Sequence, residues 1–302
     1  MILNNLKHFF KLVRWFHELL AILPFAALYF IIAYYVKKSG QACDLSGINF
    51  LILCVCVQLL IAAGCIQNDI MDRKIDEINK PKTHIIGRAI SLANAKKLFI
   101  ATTLLIILFS IYISVYLFKE WTFICIAVYI LSILYNVYLK RSPLFGNIVM
   151  ACLASFIPLV ILFFAKDCIA LLHNEKLNLL IYLYAAFPFL IIIPRELSLD
   201  ISDLEGDKAG GCRTLPIVIG TEKSKLVVVL FILLEIILSV LLVCKYTYLV
   251  IPFSLINVLL IYYIRLLKRS ILRIDYIKAG RFLWFIMIAG LIGFAVATIT
   301  AA

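Results

Sequence analysis

The stretch LSGINFLILCVCVQLLIAAGCIQN, residues 45–68, carries no charge and runs straight into DIMDRKID, residues 69–76. A helix needs about 20 apolar residues to cross the hydrocarbon core of a bilayer. Residues 45–68 therefore read as a transmembrane helix, and the first acidic side chains stand where that helix leaves the membrane. Asp69, Asp72 and Asp76 are spaced i, i+3 and i+7, which places them on one helical face. Asn68, four residues before Asp72, joins that face.

The rest of the chain is of the same kind. It is 65% hydrophobic and 15% charged over 302 residues, with mean hydropathy +1.08, which excludes an ordinary soluble domain. Further uncharged runs cover Leu19–Val36, Leu98–Phe118, Trp121–Leu139, Ser142–Ala165, Leu177–Pro194, Tyr246–Ile264 and Phe282–Ala302. Leu226–Cys244 is interrupted only by Glu235. The expected fold is all-α: one polytopic membrane domain over residues 1–302, with nine transmembrane helices bundled around a central cavity. With the N-terminus inside, 23 of the 29 Lys and Arg fall in cytoplasmic segments, Lys7, Lys11 and Arg14 among them. The positive-inside rule then accounts for the net charge of +12 without nucleic acid and puts the C-terminus outside. No cleavable secretion signal is expected, because the first apolar run is too long for one and lacks a small-residue cleavage site.

The acidic pattern D-x-x-D-x-x-x-D recurs at Asp200, Asp203 and Asp207, again directly after an apolar run. Lys82-Thr83 follows the first copy at the offset at which Arg213-Thr214 follows the second. Both copies belong to long polar segments, residues 69–97 and 195–225, which the same orientation makes cytoplasmic. Four spans separate them, as a four-helix internal duplication with one added span would leave them. Gly206 and Gly210-Gly211 predict that the second acidic helix ends near Asp207. Pro24, Pro158, Pro188 and Pro194 lie inside apolar runs, where proline bends a span and frees backbone groups beside a cavity or a neighbour. The nine cysteines form no C-x-x-C pair and have no histidine cluster beside them, which argues against zinc. Cys43 and Cys168 fall in expected outer loops and could pair. His17 and His84 stand alone and read as structural residues or as supports behind a site residue.

Three like charges on one face at a membrane edge are costly unless a cation lies among them. A divalent cation with hard oxygen ligands meets that need, and Mg²⁺ commonly combines one or two carboxylates with water and substrate phosphate. Two such faces across a cavity would hold two or more Mg²⁺ ions bridged by a diphosphate. Arg73, Lys82, Lys140 and Arg213 would neutralise its remaining charge. If its chain is allylic, ionisation gives a carbocation that Tyr135 and Tyr138 could stabilise, while the hydrocarbon tail lies in an apolar tunnel. Two other readings use the same acids. A CDP-alcohol phosphotransferase would show D-G-x-x-A-R, whereas Arg73-Lys74 follow Asp72. A divalent-cation transporter would need polar groups through the bilayer, and only Glu235 lies deep in a span. The basic stretch Lys268–Arg281 reads most simply as a topology signal that meets anionic headgroups.

Asn68-Asp69-Ile70-Met71-Asp72-Arg73-Lys74-Ile75-Asp76 resembles the N-D-x-x-D-x-x-x-D motif of the UbiA-type intramembrane prenyltransferases, and Asp200–Asp207 resembles their second aspartate motif. The resemblance implies that Asn68, Asp72, Asp76, Asp200, Asp203 and Asp207 arrange Mg²⁺ around a prenyl diphosphate, with Asp69 beside them. Tyr135-Asn136 and Lys140 resemble the element before the family's fifth span, with Lys140 reaching the diphosphate. Arg14 matches a basic residue near the first span, although Phe16-His17 stand where relatives often have Pro-Asn. Ile78–Pro81, Ile86–Ser91, Asp203–Asp207 and Gly211–Pro216 most resemble the digeranylgeranylglyceryl phosphate synthase branch. That branch implies transfer of a geranylgeranyl group to geranylgeranylglyceryl phosphate in phospholipid biosynthesis. An aromatic, quinone-precursor acceptor stays open.

Overall fold

The computed structural model describes residues 8–40, 45–172 and 174–301. Lys7, Cys43 and the side chain of His17 lie outside the described residues. Among the described residues, nine helices are long and apolar enough to cross a membrane, and they coincide with the nine runs in the sequence. The helices are α1 (Trp15–Ser39), α2 (Gly47–Met71), α3 (Arg73–Asn79), α4 (Leu92–Tyr116), α5 (Trp121–Val137), α6 (Phe145–Phe164), α7 (Lys166–Leu172), α8 (Glu175–Ser202), α9 (Leu204–Ala209), α10 (Leu215–Ile219), α11 (Thr221–Lys245), α12 (Val250–Arg269) and α13 (Arg273–Thr300). All but α3, α7, α9 and α10 are spans. Helices are the natural choice here, because a hydrocarbon phase leaves backbone polar groups only each other as partners. Ser46, Ser91 and Asn174 cap α2, α4 and α8 by accepting from the backbone amides of Asn49, Asn94 and Leu177.

The chain divides into two compact units, Met1–Leu23 with Asp44–Leu139, and Pro24–Cys43 with Lys140–Ala302. In the first unit α2 packs on α4 and α5. Only 11% of the most apolar window of α4, and of α5, is buried, and Ile100, Leu104, Leu108 and Ile111 of α4 turn outward. These two helices are the most exposed of the spans among the described residues. Beneath the end of α2, Leu12, Val13, Ala62, Ile66, Ile85, Ile86 and Ala95 form a buried cluster. It anchors the loop after α3, where Gly87 at φ +93° allows a tight reversal that closes with its amide donating to the Ile90 carbonyl.

In the second unit α8 packs against α6, α11 and α13, and 61% of its window is buried. Its neighbours come close. A Cβ on Gly290 of α13 would lie 2.4 Å from Cε1 of Phe187 on α8. Phe294 adds edge-to-face contact with Phe187 and a tilted contact with Phe253. Buried hydroxyls tie the same helices. Tyr184 donates to the Leu291 carbonyl at 2.9 Å, and Ser198 meets the Tyr263 hydroxyl at 2.7 Å. Pro24, Pro158, Pro188 and Pro194 all lie within helices, as expected. Cys168 is disulfide-bonded; Cys152 and Cys244 are free and exposed.

Candidate functional site

The first acidic corner lies where α2 gives way to α3. The expectation of one continuous helix through Asp69, Asp72 and Asp76 needs correction. Asp72 ends α2 and starts α3, with φ −87° and ψ 5°, the sparsely populated bridge region in which many active-site residues sit. The i→i−4 hydrogen bonds from Asp72 to Asn68 and from Asp76 to Asp72 persist across the break, so the acids keep nearly helical spacing. Arg14 donates to Asn68 Oδ1 at 3.1 Å and to Asp69 Oδ1 at 3.0 Å. It does so from a left-handed backbone, φ +54°, a conformation that costs a non-glycine residue about 1 kcal/mol and persists where its surroundings hold it. Asp76 pairs with Lys80 at 2.9 Å. Behind this row, buried Asn136 accepts from Asn68 at 3.2 Å and donates to the Gly64 carbonyl and to Gln67.

The second corner lies where α8 gives way to α9 and repeats the break. Asp203 ends α8 and starts α9 with φ −102° and ψ 10°, and Asp207 then sits within α9. That short helix stops at Gly210, followed by Gly211 at φ +71°, as the glycines predicted. Asp200 accepts from Asn147, one turn into α6, at 2.8 Å. Asp203 pairs with Arg273, at the start of α13, at 2.8 Å. Arg195 forms an ion pair with its neighbour Glu196 and lies 5.3 Å from the Trp284 ring.

Of the expected cationic contacts, Arg73 is half-buried at the first position of α3, and Lys82 is exposed in the loop beyond. In the second unit the Arg213 amide donates to the Arg141 carbonyl at 2.8 Å. Lys140 and Arg213 therefore come from adjoining segments. Tyr135 is half-buried, whereas Tyr138 is 68% exposed. Sequence reasoning missed Asn147, Arg273 and Lys80. Arg273 was read only as part of a basic topology signal, and its partner lies 70 residues away. Among the described residues no three His, Cys, Asp or Glu side chains close into a metal-binding cluster, since the carboxylates are spread along the helix ends and shared with Arg14, Lys80 and Arg273.

Known proteins resemble this chain in sequence and in fold. Digeranylgeranylglyceryl phosphate synthase of Methanoculleus marisnigri is 36% identical over 178 residues, which is 58% of this chain and 58% of the relative. The chain spans about three fifths of the length of the first curated relatives it matches. A solved structure of digeranylgeranylglyceryl phosphate synthase superposes with TM-score 0.65 at 26% identity, covering 98% of this chain and 99% of the other. A UbiA homologue from Archaeoglobus fulgidus, bound to GPP and Mg²⁺, shares the fold with TM-score 0.53 at 17% identity, covering 95% and 99%. A sequence profile of the UbiA prenyltransferase family matches residues 21–286, and this multi-pass membrane protein belongs to that family.

Proposed function

We propose that the chain is a Mg²⁺-dependent prenyltransferase that moves a geranylgeranyl group from its diphosphate to geranylgeranylglyceryl phosphate. The observation that carries this reading is the repeated acidic corner, built twice on the same helix break. The relatives' names supply the substrate class, and Mg²⁺ with GPP in the A. fulgidus homologue supports the cofactor.

The donor set suits the ion. Asn68, Asp72, Asp76, Asp200, Asp203 and Asp207 offer hard oxygens, and Mg²⁺ needs only one or two carboxylates when phosphate and water complete its shell. When bound, it would neutralise the diphosphate and stabilise the departing anion. Arg73, Lys82, Lys140 and Arg213 would take further phosphate oxygens, with arginine suited to bidentate contact. Arg14, Asp69 and Asn136 hold the first row in place, and Tyr135 offers a ring face to positive charge on the prenyl carbon. Allylic C–O cleavage releases diphosphate, the acceptor hydroxyl forms the new C–O bond, and its proton leaves to a nearby carboxylate or to water. Both corners and the N-terminus face the cytoplasm in this reading, and the C-terminus lies outside.

The test is direct. Purified protein given Mg²⁺, geranylgeranyl diphosphate and geranylgeranylglyceryl phosphate should release pyrophosphate and form the digeranylgeranyl lipid, read by mass spectrometry. EDTA should abolish turnover. Turnover only with an aromatic acceptor would overturn the acceptor assignment, and divalent-cation flux in proteoliposomes without any prenyl transfer would overturn the whole reading.

A further inference from the structure

Glu235 takes no part in either acidic corner. It lies in the middle of α11, is 2% exposed, and its Oε2 has no hydrogen-bond partner among the described residues. A carboxyl in hydrocarbon is strongly penalised unless something pairs with it, and such groups mark binding sites more often than packing. Glu235 lines a cavity of about 290 Å³ between α8, α11 and α12, walled by Phe187, Leu190, Leu242 and Phe253 and reaching Lys245. The volume is near the lower end of the range for small-molecule sites, roughly 300–1,000 Å³. Its wall residues Leu238 and Leu241 are 39% and 61% exposed, so the cavity opens sideways to the lipid phase.

Nothing in the walls serves the carboxyl. Ser239, one turn on, donates to the Ile236 carbonyl and to Asn257 Oδ1. Lys245 lies ten residues further along the helix, about 15 Å at 1.5 Å per residue, beyond contact. The cavity faces of α8 and α12 contribute only Leu183, Ala186, Phe187, Leu190 and Phe253.

We propose that this cavity binds a lipid-soluble alcohol, whose hydroxyl pairs with the Glu235 carboxyl while its hydrocarbon body lies against Phe187, Leu190 and Phe253. A hydroxyl both donates and accepts, so it satisfies the carboxyl whether or not that group carries its proton. A lipophilic cation fits less well, because Lys245 lines the same cavity and no second acid does. An anionic amphiphile would place its charge at Lys245 and leave Glu235 unserved. The alcohol's chain runs out through the lateral opening, so its length is not limited by the enclosed volume.

The test uses the full chain in nanodiscs with a diazirine-bearing hexadecanol as probe and the matching diazirine alkane as control. The alcohol should label peptides of α8 and α11 saturably, and the alkane should not. Glu235→Leu should weaken labelling about tenfold, the loss of one buried hydrogen bond. Glu235→Gln, whose amide also donates and accepts, should stay within about threefold. Phe253→Trp, which fills the cavity and leaves Glu235 in place, should remove saturable labelling too. It keeps the test decisive if Glu235→Leu fails to fold. Asp72→Ala should label as the parent does. Equal labelling by the alkane, unchanged labelling in Glu235→Leu or in Phe253→Trp, or tighter competition by hexadecylamine than by hexadecanol would each overturn the assignment.

Discussion

At the end of α2 the middle acid of the motif, Asp72, sits at a break in the helix, and at the end of α8 Asp203 sits at a break of nearly the same dihedral angles. The side chains around them differ. In the first corner a cation reaches the acid before the break, Arg14 to Asp69, and a second holds the acid after it, Lys80 to Asp76. In the second corner the acid before the break takes a neutral amide, Asn147 to Asp200, and the cation goes to the break itself, Arg273 to Asp203. The backbone device thus follows from the local acidic pattern, whereas Arg14, Asn147 and Arg273 come from segments distant in sequence and only Lys80 is a local i,i+4 neighbour. If both corners serve one diphosphate, the shared part should matter most to turnover and the differing parts less.

The sharpest way to break that equivalence is to remove the middle acid from each corner. Asp72→Ala and Asp203→Ala should each lower pyrophosphate release by about 10³-fold or more, the scale of losing a group that stabilises charge in the transition state. The protein should remain folded, since both residues are only partly buried. A near-normal rate in either variant would mean that the corners are not functionally alike.

The next effect separates the corners instead of equating them. Arg14 and Arg273 act through a carboxylate, and removing such a supporting group commonly costs about 10–100-fold. Arg14→Ala should fall at the larger end, because Arg14 bridges Asn68 and Asp69 together while Arg273 meets Asp203 alone. Lysine should rescue both positions in part, because each arginine reaches its acceptors through a single nitrogen, Nη2, and one ammonium carries three donors. No rescue by lysine at position 14 would show that the planar guanidinium, and not one donor nitrogen, holds Asn68 and Asp69.

The same contrast explains what could be read without coordinates. The nine spans were legible because a 20-residue apolar run has one stable outcome in lipid, and the acids were legible because their spacing repeats. The helix break at Asp72 and Asp203 was not, since i, i+3, i+7 spacing also fits an unbroken helix and nearly the same hydrogen bonds survive. Asn147 and Arg273 were not legible either. Each lies 53 or 70 residues from the acid it holds, and no periodicity links positions brought together only by helix packing. Arg14 and Asn136 were reached through resemblance, and their contacts with Asn68 and Asp69 now give a physical reason for their positions.

Those amides supply a smaller contrast. Asn136 is 2% exposed and makes three hydrogen bonds, to Asn68, Gln67 and the Gly64 carbonyl. Asn136→Leu removes all three bonds and leaves the Asn68 and Gln67 amides short of a partner, so it should lower stability by about 1–3 kcal/mol, read as a lower thermal unfolding midpoint in detergent. Asn147→Ala strands only Asp200. It should leave the unfolding midpoint nearer to that of the parent and show itself mainly as about a tenfold loss of rate. The opposite ranking, with Asn147 the greater stabiliser, would mean that the second corner is the more rigidly built of the two.

The weakest expected effect tests how far the first corner extends into its loop. Lys82 is exposed and reaches any phosphate as a flexible point charge, and exposed ionic contacts are worth up to about 1 kcal/mol. Lys82→Ala should therefore raise KM for the prenyl diphosphate about two- to fivefold and leave kcat within twofold. The difference should shrink as salt is raised from 50 to 300 mM, because the Debye length then falls below 10 Å. A salt-independent defect, or one confined to kcat, would take Lys82 out of diphosphate capture. The loop from Lys80 to Ser91, with its Gly87 reversal and its Ile85-Ile86 anchor, would then serve to hold α3 against α2 without touching substrate.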